Sequence, residues 1–208
     1  MNRKDHIKPL TVGFLTPFYD SIIKIFSFDK FYQKIANKIP QDKTVHILDV
    51  GCGTANLAIA IKKRSPKAEI SGIDPDERIL KIAESKIKKE KLDIKLVKAF
   101  AQKLPFKKQS FDWVVSSFAV HHIPSHLKNQ AFYEMHRVLK KNGTILIIDI
   151  GEPKNFLAKI AGTVFSFIES VGPNLRGFTP KALKEVGFSD VQEIESKFGL
   201  ISFYKARK

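Results

Sequence analysis

The stretch LDVGCGTAN, which spans residues 48–56, decides the fold of this chain. An apolar run delivers an acid, Asp49, and two glycines, Gly51 and Gly53, follow before the sequence turns helical. Because glycine has no Cβ, the backbone can turn sharply there and approach a ligand closely. A strand, an acid, a glycine turn and a helix in this order are typical of a site for a nucleotide-type cofactor.

A second acid, Asp74, ends the next apolar run, AEISGID. An acid about 20 residues beyond a glycine turn is placed to accept hydrogen bonds from ribose hydroxyls. These features alone would also fit a dinucleotide dehydrogenase. Asp49, however, suits a positively charged amino group better than a pyrophosphate, and Asn56 stands where the dinucleotide pattern has its third glycine.

Apolar, strand-like runs alternate with longer charged helical segments beyond Pro40. This alternation predicts βαβ units and a parallel sheet. The runs lie at residues 45–50, 70–73, 94–97, 111–116 and 144–149, with a helix at 180–186 near the end. Two last runs, 191–195 and 200–205, flank a short turn at 197–199, which predicts a hairpin and an antiparallel final strand.

Four polar residues stand at the predicted carboxyl ends of strands, namely Asp49, Asp74, Ser116 and Asp149. In an open parallel sheet, ligands bind outside these ends, near the point where the strand order reverses. One site could therefore gather all four side chains.

Four further sequence motifs follow along the chain. They are GIDPDE at 72–77, LPFKKQSFDWVVSSFAVHHI at 104–123, EMHRVLKKNGTILIID at 134–149 and FTPKALKEVGF at 178–188. Over about residues 45–206 the chain resembles class I S-adenosylmethionine-dependent methyltransferases. Within this class it resembles the subgroup of ubiquinone/menaquinone biosynthesis methyltransferases, which is also called methyltransferase type 11. The resemblance implies an α/β, Rossmann-like sheet of seven strands, mostly parallel, in the order 3-2-1-4-5-7-6 with strand 7 antiparallel and helices on both faces.

The resemblance also implies S-adenosylmethionine as cofactor. Its methionine part would lie at Asp49, Gly51, Cys52 and Gly53, and Asp74 would accept from both ribose hydroxyls. The other expected cofactor contacts are Tyr19, Pro75, Asp76, Ala101, Gln102 and Ser116. Tyr19 resembles the tyrosine of an N-terminal lid, whose ring would attract the sulfonium. Packing of this ring in an apolar core is the alternative.

The adenine end departs from the family pattern. Relatives carry an Asp-Ala-Glu type sequence before LPF, whereas this chain has Phe100, Ala101 and Gln102. Phe100 replaces an acid that accepts from the adenine amino group. Gln102 or the backbone at Ala101 would have to supply that contact.

His121 and His122 match a family position after the fourth strand. Histidine titrates near neutral pH, so either could be a catalytic general base. The alternative is that they shape the loop and the cofactor pocket. A metal site with His126 is disfavoured, because Pro124 interrupts the helical spacing and no acidic or cysteine ligand lies close. We therefore expect no metal.

With 208 residues, 43% of them hydrophobic, the chain can bury one sizeable core. We expect residues 1–40 to form an N-terminal helical lid and residues 41–208 to form one methyltransferase domain. The lone Cys52 cannot form an internal disulfide, and the first ten residues have no continuous apolar core. Both features favour a cytoplasmic location.

The formal charge of +15 fits a solvated lysine surface, attraction to an anionic membrane, or binding of nucleic acid. Only six of the 36 basic residues are arginine, which supplies most bidentate contacts to guanine and phosphate. The sequence SSFAV also stands where nucleic-acid amino methyltransferases carry Asn or Asp, then Pro-Pro-aromatic. Nucleic acid is therefore a disfavoured partner.

Two apolar segments, 14–31 and 156–168, are expected near the mouth of the site, where the family places lids. One face of the second would carry Phe156, Leu157, Ile160, Val164, Phe165 and Ile168. This content favours a hydrophobic acceptor and contact with a membrane surface, and packing of the lid on the sheet is the alternative.

We therefore expect an enzyme that moves a methyl group from S-adenosylmethionine to a small hydrophobic acceptor by in-line displacement. A quinone precursor and a lipid amine are both candidates for the acceptor. Two alternatives stay open, a cofactor-binding or lipid-surface protein without catalysis and an RNA methyltransferase.

Overall fold

The computed structural model describes residues 28–41, 44–168 and 171–208. Its strands are β1 His46–Val50, β2 Glu69–Asp74, β3 Lys95–Lys98, β4 Phe111–Ser117, β5 Leu139–Ile150, β6 Ser189–Lys197 and β7 Ile201–Arg207. They form one sheet in the order β3-β2-β1-β4-β5-β7-β6. Within the described residues, β7 runs antiparallel to both of its neighbours, β5 and β6, and all other strand pairs are parallel. The predicted strand order and the reversed last strand are confirmed.

Helices connect the strands and cover both faces of the sheet. They are α1 Phe28–Ala36, α2 Asn56–Arg64, α3 Glu77–Lys89, a 3₁₀ turn Val120–His122, α4 Ser125–Val138, α5 Phe156–Ile168, α6 Gly172–Leu175 and α7 Phe178–Glu185. Central strands are buried on both sides, as in Leu48, Val115 and Ile147, each fully inaccessible to solvent. Such burial is typical of parallel sheets with helical crossovers.

The strand β5 begins at Leu139, well before the predicted start at residue 144. Its register with β4 shifts, because Phe111 pairs with Leu139 while Trp113 pairs with Thr144. Asn142 absorbs the extra residues with a positive φ of 64°, which asparagine tolerates better than most residues. The polar sequence KKNG, residues 140–143, therefore continues the strand through a bulge and lies outside the predicted run at 144–149.

The helix α1 packs into the core of the sheet domain. Ile35 and Ala36 are fully buried, and the Phe31 ring lies 5.5 Å from that of Phe203, centroid to centroid. The rest of the predicted lid, including Tyr19, lies outside the described residues. The division into a lid at 1–40 and a domain at 41–208 stays a prediction.

Glu134 and Arg137, which lie three residues apart on α4, hold a neighbouring loop. The Arg137 guanidinium bonds both carboxylate oxygens of Glu134 and donates to the carbonyls of Leu104 and Phe106 at 3.1 and 2.9 Å. Glu134 in turn accepts from the backbone N–H of Leu104 at 2.9 Å. A pair at this helical spacing commonly lies on the surface, whereas both of these side chains are mostly buried and clamp the LPF loop, residues 104–106, to the helix.

We expect Arg137→Met to lower the free energy of unfolding by about 2 kcal/mol, because buried loop carbonyls lose charge-assisted donors. Urea unfolding measures this change. Arg207→Met, at an exposed arginine, is the matched control and should change stability little. Equal losses in both variants would contradict the clamp.

Candidate active site

The carboxylate of Asp49 is buried at the end of β1. Only 1% of the residue is exposed, and its Oδ2 atom has no hydrogen-bond partner. Burial raises its pKa to about 7, the negative charge of Asp74 adds to this rise, and a backbone hydrogen bond at Ala58 opposes it. A buried carboxylate oxygen without a donor is costly, so the site is suited to a ligand that brings a positive group there.

The glycine turn after Asp49 is held by protein acceptors. The N–H groups of Gly51 and Cys52 both donate to the Ile73 carbonyl, at 2.9 and 2.8 Å, and Gly53 N–H donates to Asp74 at 3.2 Å. A pyrophosphate site presents such N–H groups to its ligand instead. The turn therefore favours an amino-bearing ligand, in agreement with the position of Asp49.

The two glycines of this turn have different surroundings. Both adopt positive φ, 71° at Gly51 and 53° at Gly53. A Cβ at Gly51 would overlap the Cβ of Ala119, whereas a Cβ at Gly53 would meet nothing within 4 Å. The loop after β4 thus packs directly on the turn at Gly51, and open space remains beside Gly53 for a ligand.

Asp74 lies beside this space at the end of β2. Each of its oxygens accepts one backbone N–H, Oδ2 from Gly53 and Oδ1 from Asp76 at 2.9 Å. Burial raises its pKa, while these two hydrogen bonds lower it. A carboxylate has further lone pairs on both oxygens, so Asp74 can still accept from two hydroxyl groups.

Lys86 of α3 braces the turn from the other side. Its ammonium donates to Thr54 Oγ1 at 3.0 Å and to Asn56 Oδ1 at 2.8 Å. Asn56, which replaces the third glycine of the dinucleotide pattern, therefore has a structural role at the start of α2. The sequence analysis did not single out Lys86, since only the folded chain brings it near the turn.

The Cys52 side chain belongs to the support of the turn. Its sulfur fills the space beside Gly72, where a Cβ would meet it at 2.9 Å. Burial, Asp49 and Asp74 all raise the pKa of the thiol, which disfavours the nucleophilic thiolate.

Asp76 caps α3, accepting from Arg78 N–H at 2.9 Å, and its carboxylate also pairs with the Arg78 guanidinium. Arg78 holds the pKa of Asp76 below its usual range.

Ser116 donates to the Val50 carbonyl at 2.8 Å and so fixes β1 against β4. Pro75 follows Asp74 directly and is partly exposed.

The segment with Phe100, Ala101 and Gln102 is partly exposed and follows directly from β2's neighbour β3. Ala99 N–H donates to the Asp74 carbonyl at 3.2 Å, so the segment begins beside Asp74. Contact of all these residues with a cofactor stays a prediction.

The loop after β4 carries the two candidate catalytic histidines. His121 Nδ1 lies 2.6 Å from Asp149 Oδ1, and its backbone N–H donates to Asp149 Oδ2 at 3.1 Å. The His122 ring lies against that of His121, with centroids 4.0 Å apart and the ring planes tilted by 48°. No group of three or more His, Cys, Asp or Glu residues able to hold a metal occurs in the described ranges.

Asp149 is fully buried at the carboxyl end of β5. Burial opposes its ionisation, but the charge and hydrogen bond of His121 and the backbone of Ile150 outweigh it, so its pKa lies below the ordinary value. A charged Asp149 fixes the Nδ1 proton of His121 and leaves Nε2 as the nitrogen that can accept a proton.

A buried lysine, Lys128 of α4, extends this network. It is fully inaccessible, donates to Asn174 Oδ1 at 2.7 Å, and lies 5.7 Å from the Phe178 ring centroid. Burial lowers its pKa to about 8, although the charge of Asp149 opposes the shift. The sequence analysis missed Lys128, because a lysine in a charged helix gives no signal of burial before α6 is placed over it.

We expect Gly51→Ala to destabilise the chain by about 2 kcal/mol more than Gly53→Ala. Both alanines would carry the strain of a left-handed backbone, about 1–2 kcal/mol, but only the first would also overlap Ala119. Gly177→Ala, at the same φ of 71° and with a neighbour at 3.4 Å, is the control for strain alone. Urea unfolding compares the three variants, and equal losses at residues 51 and 53 would contradict the packing described here.

Comparisons with known proteins identify the family of this chain. Residues 47–143 match the family model described as a methyltransferase domain. The demethylmenaquinone methyltransferase of Listeria welshimeri is 31% identical over 192 residues, which cover 88% of this chain and 78% of the relative. That of Geobacillus kaustophilus is 34% identical over 143 residues, covering 66% of this chain and 60% of the relative.

Solved structures share the fold. A SAM-dependent methyltransferase from Aquifex aeolicus has a TM-score of 0.65 and 19% identity, with 85% of this chain and 88% of that chain covered. The cyclase SpnF has a TM-score of 0.70 and 18% identity, with 86% and 80% covered. The identity to the Listeria relative, over most of both chains, establishes the family. The chain belongs to the S-adenosylmethionine-dependent methyltransferases of the menaquinone and ubiquinone biosynthesis type.

Proposed function

We propose that this enzyme methylates a small hydrophobic acceptor of the quinone-precursor class, and that it does so in the cytoplasm. The observation that carries the proposal is the buried Asp49 oxygen without a donor, beside a glycine turn with open space at Gly53. The names of the relatives, demethylmenaquinone methyltransferases, support a quinone precursor over a lipid amine. The lone Cys52 supports the location.

Asp49, Gly53 and Asp74 would bind the methyl donor. Bound S-adenosylmethionine supplies a methyl group on a sulfonium. The sulfur leaves as a thioether when a nucleophile attacks the methyl carbon in line. Asp49 would accept from the amino group of the donor, and Asp74 would accept from its ribose hydroxyls. Gly53 would allow close approach of the donor, because no side chain fills the space beside it.

His121 would act on the acceptor. Its Nδ1 is committed to Asp149, so Nε2 would take a proton from a ring hydroxyl of the acceptor. Loss of this proton raises the electron density on the neighbouring ring carbon, which makes that carbon a better nucleophile. This carbon would form its bond to the methyl group as the sulfur–methyl bond breaks, and its hydrogen would then leave as a proton to restore the aromatic ring. His122 is the second candidate for this role, on the strength of its ring contact with His121.

The fold itself does not decide the reaction, since the cyclase SpnF shares it. Turnover is therefore the quantity to measure. Purified enzyme is incubated with methyl-labelled S-adenosylmethionine and a demethylated naphthoquinol with a short isoprenoid chain, and the label is counted after organic extraction. An extract of cellular RNA is the parallel acceptor.

We expect label in the organic phase with the wild type and none above background with Asp74→Ala. His121→Gln should lower kcat by about 10²–10⁴-fold, because it removes the proton acceptor, and should leave donor binding unchanged. His126→Gln, at an exposed histidine, is the matched control. Label only in RNA, or no turnover despite donor binding, would overturn the proposal.

The raised pKa of Asp49 gives a second test. Unfolded, this carboxyl ionises near 3.8, whereas in the folded chain it keeps its proton until about pH 7. The folded state without ligand therefore loses stability as the pH rises from about 4 to 7, by at most about 4 kcal/mol. Asp49→Asn should be more stable than the wild type at pH 8 and similar at pH 4.

The same substitution should weaken binding of S-adenosylhomocysteine at pH 8 by about 10–100-fold, because the ligand amino group loses a charged acceptor. Wild-type affinity should fall as the pH drops below 7, while the variant should show no such fall. Calorimetric titration measures both, with Asp190→Asn as an exposed control. An Asp49→Asn variant that binds as tightly as the wild type would exclude this role for Asp49.

A further inference from the structure

Five of the six large apolar side chains that are exposed in the described part of the chain lie in one region. They are Phe156, Leu157, Ile160 and Val164 on α5, exposed by 75, 76, 49 and 56%, and Phe198, exposed by 86%. The sixth, Tyr133, lies on α4. We name the five residues the α5 apolar surface.

The helix α5 buries two small residues, Ala158 and Gly162, while Phe156, Leu157, Ile160 and Val164 lie on its exposed side. Ala158 and Gly162 are buried against Leu200 and Leu175, and a Cβ at Gly162 would meet Leu175 at 2.8 Å. A helix on a protein surface normally directs its large apolar residues to the core. Here glycine and alanine let the helix lie close to the protein, while these four large apolar side chains contact solvent.

Phe198 joins this helix through the turn between β6 and β7. Gly199 accepts from the backbone N–H of Lys154, just before α5, at 2.8 Å. A Cβ at Gly199 would also meet Ala158, in the first turn of α5, at 3.4 Å. The turn thus packs on the start of the helix and adds its exposed ring to the same region.

Basic residues surround the α5 apolar surface. Lys159 is exposed within α5, Lys154 precedes the helix, and Lys197 adjoins Phe198. The sequence of α5 has no acidic residue. Of the acids that lie near it, Glu193 is paired with Lys154 at 2.8 Å, and Glu152, two residues before Lys154, is exposed. Lysines that flank apolar side chains can place their ammonium groups among lipid headgroups while their stems cover apolar surface.

We propose that the α5 apolar surface docks on an anionic lipid bilayer. The net charge of +15 attracts the chain to such a surface from a distance, and the apolar side chains then enter the interface. No helix of the described residues has the length and apolar content to cross a bilayer. The helix starts six residues beyond Ile150, where β5 ends, so docking brings the edge of the site with Asp149 toward the lipid.

Flotation of the full-length enzyme with lipid vesicles tests the proposal. Vesicles of phosphatidylcholine mixed with phosphatidylglycerol are compared with vesicles of phosphatidylcholine alone, at low and at high salt. The variants are Leu157→Ser and Phe198→Ser, and Tyr133→Ser is the matched control, since it removes an exposed ring elsewhere. Light scattering without vesicles gives the oligomeric state of each protein.

We expect the wild type to float with the anionic vesicles at low salt and much less with neutral ones. Each of the two variants should bind about tenfold more weakly, and Tyr133→Ser should bind as the wild type does. Failure of the wild type to float would overturn the proposal. A dimer that Leu157→Ser and Phe198→Ser convert to monomer, without vesicle binding, would assign the surface to a second copy instead.

This proposal goes beyond methyl transfer and can fail separately from it. Both substituted residues are exposed and lie outside the donor site, so binding of S-adenosylhomocysteine should be unchanged in each variant. Normal donor binding with lost flotation supports lipid docking, whereas loss of both in Leu157→Ser and Phe198→Ser indicates a folding defect and contradicts a surface role for these side chains.

Discussion

A carboxylate buried at the end of a central strand is the constraint on which the site depends. Asp49 sits in a sheet whose buried residues are mostly apolar, and its ionisation is opposed both by burial and by Asp74. Neighbouring backbone groups do not fully relieve this cost, because the Asp49 Oδ2 atom has no donor. The glycine turn, Lys86 and the loop after β4 are all arranged around this carboxylate. The chain thus keeps an energetically costly buried carboxylate at a place where a bound ligand can offset the cost.

The sequence predicted the features of the site that depend on local order. Asp49, Gly51, Gly53 and Asp74 follow from strand ends and a turn, because a parallel sheet brings consecutive strand ends to one edge. The strand order and the antiparallel last strand were also predicted, from the family blocks and from the hairpin signal. For Asp76 the sequence indicated a cofactor contact but not the capping of α3 by its side chain, which the structure shows.

Features that depend on tertiary packing could not be predicted. From the sequence, Lys128 looks like a surface lysine, whereas in the structure α6 and Phe178 enclose it. The Glu134–Arg137 pair has ordinary helical spacing, and only the folded LPF loop reveals its second set of partners. The bounds of α5 agree with its apolar run. The face of the helix that is buried could not be predicted, because alanine and glycine on the inner face carry little hydrophobic signal.

Asp149 bonds His121 twice, through the ring and through the backbone N–H. The backbone bond does not depend on which side chain stands at residue 121. A change of that side chain therefore alters the chemistry offered to the acceptor while the loop keeps its anchor on β5 and its contact with Gly51. In evolutionary terms, the anchoring of the loop and the identity of its reactive group are separable. A lineage could exchange the reactive group without rebuilding the donor site.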